Sequence, residues 1–140
     1  MELLQEFNRM MENTKDIALA TSANNTANVR IVNFYYDTQK KGTLYFSTIR
    51  DSAKTIEFLQ NNKVAFTTVP VGSSEHARVV DAEVKKSDLT IYNLKDQFIG
   101  KYPDYAVTIA QVGNLLDIYE INFKEANVIL DITNRGKVIV

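Results

Sequence analysis

The chain has no cysteine, which excludes disulfides, thiolate catalysis and cysteine–zinc centres. Its one histidine, His76, argues against a metal site built from imidazoles. An excess of positive charge is missing too. Sixteen basic residues stand against 17 acidic ones, for a net charge of −1, and no basic stripe stands out. Nucleic acid is therefore not an expected partner, because its binding depends on clustered cations. Long hydrophobic runs are also lacking. Charge-free stretches such as Ile17 to Val29 are broken by Thr, Ser and Asn and do not suit a membrane-spanning helix. Glu2 and Glu6 lie among the first apolar residues, unlike a secretory leader with a basic start and an apolar core. These absences predict a cytoplasmic protein that binds neither membrane nor nucleic acid. The 140 residues, 45% hydrophobic and 24% charged, predict one globular domain spanning 1–140.

Leu3, Leu4, Phe7, Met10 and Met11 repeat at helical spacing and predict an amphipathic helix over one opening of the core. Asp16 to Ser22, Ala27 to Tyr36 and Thr43 to Thr48 predict three strands, separated by a polar turn around Ala23 to Thr26 and a loop from Asp37 to Gly42. Asp51 to Asn62 returns to a helical period, with Asp51 and Ser52 both suited to cap it. Strands follow at Val64 to Val71 and Glu75 to Val84, then a helix from Asp88 to Phe98. Pro103-Asp104 can open a further helix. Leu115 to Phe123 and Asn127 to Ile132 predict closing strands, with an edge strand at Gly136 to Val140. Sequential strands joined by short polar turns favour antiparallel pairing. The expected fold is α+β, mainly β: a split antiparallel β-barrel of six to seven strands with peripheral helices.

Chemistry concentrates between Val29 and Lys54. Arg30 lies in an apolar strand, and Asp51-Ser-Ala-Lys54 opens a helix. A helix N-terminus offers free N–H groups and a positive dipole end, so it attracts phosphate. Ser52 adds a hydroxyl, Lys54 a full charge, and Arg30 a two-pronged donor if its strand lies beside that helix. Taken singly, Ser52 reads as a cap, Lys54 as a surface charge, and Arg30 as a partner for Asp81 or Glu83 on a neighbouring strand.

The succession Leu19-Ala-Thr-Ser22, Val29-Arg-Ile-Val-Asn-Phe34, Leu44-Tyr-Phe-Ser-Thr48, Ser52-Ala-Lys54 and Asn61-Asn-Lys-Val64 resembles the pyridoxamine 5′-phosphate oxidase-like family of split barrels that bind flavin mononucleotide (FMN). The resemblance extends from at least Ile17 to Val84. It implies an FMN at the interface of a homodimer, its phosphate held by Arg30, Ser52 and Lys54. Ile31 and Val32 would lie against the flavin ring, and Phe46, Ser47 and Thr48 would border the ribityl chain or ring. His76 would face the ring's pyrimidine edge, or else stand as a surface imidazole beside Glu75.

Three departures count against true pyridoxamine phosphate oxidation. Nothing after Ile132 resembles the basic stretch that grips the substrate's phosphate; Ala53 replaces a second basic residue, and Asp81 stands where glycine is usual. The reading is an FMN-dependent oxidoreductase acting on an unidentified small molecule, with NADH or NADPH as donor. The alternatives are a flavin carrier or sensor with little turnover, and a degenerate barrel of the same fold that binds haem, another flat ligand or nothing. No Gly-rich dinucleotide fingerprint is present, so a nicotinamide would bind transiently over the flavin. A homodimer is also expected because Phe98 to Leu116 and Leu115 to Phe123 are more apolar than one small barrel easily hides.

Overall fold

A computed structural model describes residues 2–140. Helix α1 (Leu3–Asn13) buries Phe7, Met10 and Met11, the stripe that its period predicts. Strands β1 (Asp16–Ala23) and β2 (Thr26–Asn33) form a hairpin whose two turn residues, Asn24 and Asn25, both have positive φ, 52° and 60°. Asparagine tolerates that left-handed backbone, which matches the twist of the flanking strands. Beyond Phe34 comes the two-residue β3 (Tyr35–Tyr36), then β4 (Thr43–Ile49). Gly42 before β4 has φ +78°, and a Cβ there would stand 2.3 Å from the Phe123 carbonyl oxygen. Only glycine fits.

Helix α2 (Ala53–Gln60), β5 (Lys63–Thr68) and β6 (His76–Lys86) follow, then α3 (Lys95–Lys101), α4 (Tyr105–Val112), β7 (Leu116–Phe123), β8 (Glu125–Ile129) and β9 (Arg135–Ile139). The helix expected from Asp88 begins only at Lys95. Thr90 and Asn93 hydrogen-bond to each other through side chain and backbone, and the Ser87 hydroxyl accepts from the Leu89 N–H. Such local bonds compete with helix formation.

All pairings are antiparallel, along the path β2-β1-β5-β6-β7-β4-β3, with β8 and β9 attached beside β6. The two ends of that path, β2 and β3, are separated in the chain by Phe34 alone, so the sheet must curl back on itself. The result is a mainly β split barrel with four helices. Nine strands arise because the Ala27-to-Tyr36 run breaks at Phe34 and the C-terminal edge strand forms.

Inside lie Phe7, Phe34, Phe46, Phe66, Phe123 and their aliphatic neighbours. A second cluster sits on the outer side of β3, β4 and β7, where Ile91, Leu94, Phe98 and Ile109 cover Tyr45, Leu116 and Ile118. Phe98, Ile109, Leu116 and Ile118 belong to that cluster and Ile121 and Phe123 to the barrel core, so the chain hides most of the apolar residues between Phe98 and Phe123 itself, while Val107 and Leu115 stay exposed. No helix among the described residues is long and apolar enough to cross a membrane.

Candidate functional site

Strand alternation sorts the expected site residues before any ligand is considered. On β2, Arg30 pairs with fully buried Leu19 and points to the barrel side with Val32 and Phe34. Val29 and Ile31 point outward and are 63% and 59% exposed. Val32 belongs to the core, so only Ile31 of the expected pair offers a surface. On β4, Phe46 and Thr48 are buried, Phe46 within the barrel core. Ser47 faces the opposite side, where its hydroxyl meets the Tyr105 hydroxyl at 3.1 Å beneath α4. Phe46, Ser47 and Thr48 therefore do not share one surface. Three consecutive strand residues cannot, unless the strand bulges.

The structure does gather Arg30, Thr48, Ser52 and Lys54 around the start of α2. Asp51 takes a left-handed backbone, φ 61°, and turns the chain from β4 into the helix. Ser52 sits at the cap, yet its hydroxyl makes no capping bond and lies 3.1 Å from the Thr48 hydroxyl. The Ala53 and Lys54 N–H groups have no backbone partner among the described residues, as expected at a helix start. Lys54 is half-buried, and among the described residues its ammonium has no ion-pair partner. Burial and then the charge of Arg30 push its pKa below the usual lysine value.

Arg30 pairs with neither Asp81 nor Glu83. One terminal nitrogen donates to the Thr21 hydroxyl at 2.9 Å and the other to Glu57. Glu57 also accepts from Thr21 at 3.2 Å and Asn28 at 3.4 Å. Burial pushes the Glu57 carboxyl up, but the Asn28 bond, the Arg30 charge and bond and the Thr21 bond outweigh it and hold the pKa below the usual value. Glu57 is the residue that sequence reasoning missed. Its one signal is its place a helical turn after Lys54, on the same side of α2. The arrangement is a partly shielded cationic corner: two positive side chains, one countercharge, free helix amides and three hydroxyls, those of Thr21, Thr48 and Ser52.

His76 stands elsewhere. It opens β6, three strands from β2, roughly 14 Å across the sheet by ordinary strand spacing. Its Nδ1 lies 2.9 Å from the Ser74 carbonyl oxygen, while Glu75 is held by both terminal nitrogens of Arg9, at 2.9 and 3.0 Å.

Comparison with known families decides the lineage. A family model described as pyridoxamine 5′-phosphate oxidase-like matches residues 10–135. The chain belongs to the pyridoxamine 5′-phosphate oxidase-like family. No sequence among the curated proteins matches it. Among solved structures it is similar to general stress protein 26 of Bacillus anthracis, with a TM-score of 0.73 and 15% identity over 100% of both chains. It is also similar to HutZ, the haem storage protein of Vibrio cholerae, with a TM-score of 0.68 and 12% identity over 99% of this chain and 95% of that one. A FAD-binding protein of Mesorhizobium loti gives a TM-score of 0.63 and 13% identity over 96% of this chain and 91% of that one. At such identities the likeness is one of fold.

Proposed function

We propose that this family member binds FMN, with the phosphate at the α2 corner and the flavin ring over the outward face of β2, and works as a homodimer that oxidises or reduces a small molecule. The observation that carries the reading is Lys54: a half-buried ammonium beside Arg30, without a carboxylate of its own, at a helix start whose amides are free. An uncompensated cation there favours an anionic guest. Lys54 would supply the main charge, the Ala53 and Lys54 amides and Ser52 hydroxyl would donate, and Arg30 retains N–H groups beyond those given to Thr21 and Glu57. Val29 and Ile31 offer an apolar surface to a flat ring.

Because β2 ends the pairing path, a ligand can wrap over its free edge from the corner on one face to the apolar surface on the other. The same exposed surface supports a second copy of the chain as cover. When bound, FMN supplies the redox chemistry, and the protein's part is to hold and orient it.

Mass spectrometry of the ligand released from purified protein is the test. FMN is expected, with flavin absorption in the intact protein. A haem Soret band, or a colourless protein that takes up no FMN, would overturn the assignment. Turnover of NADH or NADPH by the FMN-loaded protein separates an enzyme from a carrier.

A further inference from the structure

The outward side of the sheet holds a second charged feature, assembled from segments far apart in sequence. Register sets His76 opposite Ile129 and Ile129 opposite Arg135. It likewise sets Arg78 opposite Asn127 and Asn127 opposite Lys137. Residues directly opposed in antiparallel strands share a face, as do residues two apart on one strand. All six side chains therefore stand on one side, while Ala77 and Val128 between them, and Val138 next to Lys137, are core residues. Two arginines, a lysine and the histidine mark the corners of a rectangle about 7 Å along the strands and about 10 Å across them.

The carboxylates nearby are engaged. Glu125 pairs with Lys137 at 3.2 Å, Glu75 with Arg9, and Asp131 with the Thr133 and Asn134 side chains and amides of its own turn. Among the described residues Arg78 and Arg135 have no ion-pair partner. They occupy diagonal corners, with the Asn127 amide between the strands that carry them. Such a concentration is unexpected in a chain of net charge −1.

We propose that this rectangle binds a small molecule carrying two linked phosphate groups: free diphosphate, or the diphosphate bridge of a dinucleotide. Each arginine can fork onto one phosphate, and two such centres set diagonally suit a pair of linked anions better than one. The patch is too small for a nucleic-acid backbone, which is tracked by roughly six to ten cationic contacts. It is also separate from the α2 corner. Arg30 lies on the barrel side of β2, whereas the rectangle lies on the outward side of β6, β8 and β9. The proposal therefore does not depend on FMN binding.

Calorimetric titration of the purified full chain with inorganic pyrophosphate, orthophosphate, NADH and NADPH tests it. Pyrophosphate is expected to bind more tightly than orthophosphate. Measured in a Lys54→Ala background, which removes anion binding at the α2 corner, Arg78→Ala and Arg135→Ala should each weaken it about tenfold or more, with Arg78→Lys falling between. NADH and NADPH that weaken in the same arginine variants identify a dinucleotide bridge as the source. Dinucleotides indifferent to those variants, beside a pyrophosphate that responds, identify free diphosphate. Pyrophosphate binding that survives the double arginine variant, or that follows Lys54 instead, overturns the proposal. So does tighter binding of a short duplex DNA than of pyrophosphate, with the same dependence on the arginines. Failure here leaves FMN binding untouched, since that rests on Lys54 and is read by flavin release.

Discussion

The outer side of one sheet meets two different fates in this molecule. Over β3, β4 and β7 it is roofed by the segment from Ile91 to Ile109, where Phe98 packs 5.1 Å from the Tyr105 ring and 6.3 Å from that of Tyr102. Over β1 and β2 it is bare, and Val29 and Ile31 face solvent. Both surfaces are apolar enough to need a cover. The chain covers the first itself and leaves the second exposed; the proposed flavin ring and second copy would cover it, reached over the edge of β2 from the cationic corner on its barrel side.

Removing the roof should have the largest effect. Phe98→Ala empties a fully buried aromatic site, and a loss of about 3–5 kcal/mol is expected. Thermal denaturation should register a fall of roughly 10 °C; a fall under about 2 °C would mean that α3 is not part of the folded core. At the bare side's rim, Lys54→Ala and Arg30→Ala should each weaken FMN binding by about 1.5–3 kcal/mol, roughly ten- to a hundredfold. Fluorescence titration of flavin reads this directly, and wild-type affinity in both variants would place the phosphate elsewhere.

A subtler device ties the roof down. The Lys101 ammonium donates to the Met11 and Phe34 carbonyl oxygens at 3.2 and 3.0 Å and lies 3.7 Å from the centre of the Phe34 ring. Burial, then the charge of Lys15, pulls its pKa down to about 7, against the opposing charges of Asp16 and Glu12. The two carbonyls and the ring favour the cation. A folded-state pKa below the unfolded value near 10.5 means that the unfolded chain binds more protons between about pH 7 and pH 10.5. The contribution of Lys101 to stability therefore rises with pH across that window and is at its lowest below pH 7. The melting temperature of wild type, relative to Lys101→Met, should climb by a few degrees from pH 7 to pH 9.5; a constant difference would show that Lys101 stays charged throughout.

The smallest effect belongs to the bare face itself. Ile31→Thr keeps a β-branched, strand-compatible side chain on an exposed position and should change folding stability by no more than about 0.5 kcal/mol. Its consequence should appear in light scattering, as a shift from dimer toward monomer. An equal dimer fraction in both proteins would remove β2 from the interface.

Much of the architecture is legible in the residues. The Leu3-to-Met11 stripe, the Asn24-Asn25 hairpin and the glycine before β4 all act locally, through spacing or backbone preference. The helix limits near Asp88 were not legible, because Thr90 and Asn93 satisfy each other in a turn that helix propensity does not register. At the candidate site, the sequence makes Ser52 and Lys54 readable as a helix start, while Glu57 gains its meaning only from facing Arg30 across α2 and β2. Alternation in β2 and β4 announces two faces per strand, but it does not say which face the chain will cover.

By itself, then, the sequence determined the order of elements, the absence of thiol and imidazole clusters, and a family pattern between Ile17 and Val84. Tertiary structure alone decided that Phe46 and Val32 turn inward, that Arg30 pairs with Glu57, and that Arg78 and Arg135 stand on one face, diagonally across β8. These outcomes depend on pairing between residues distant in the chain. Strand register and the curl of the sheet set that pairing, and both result from the packing of the whole core.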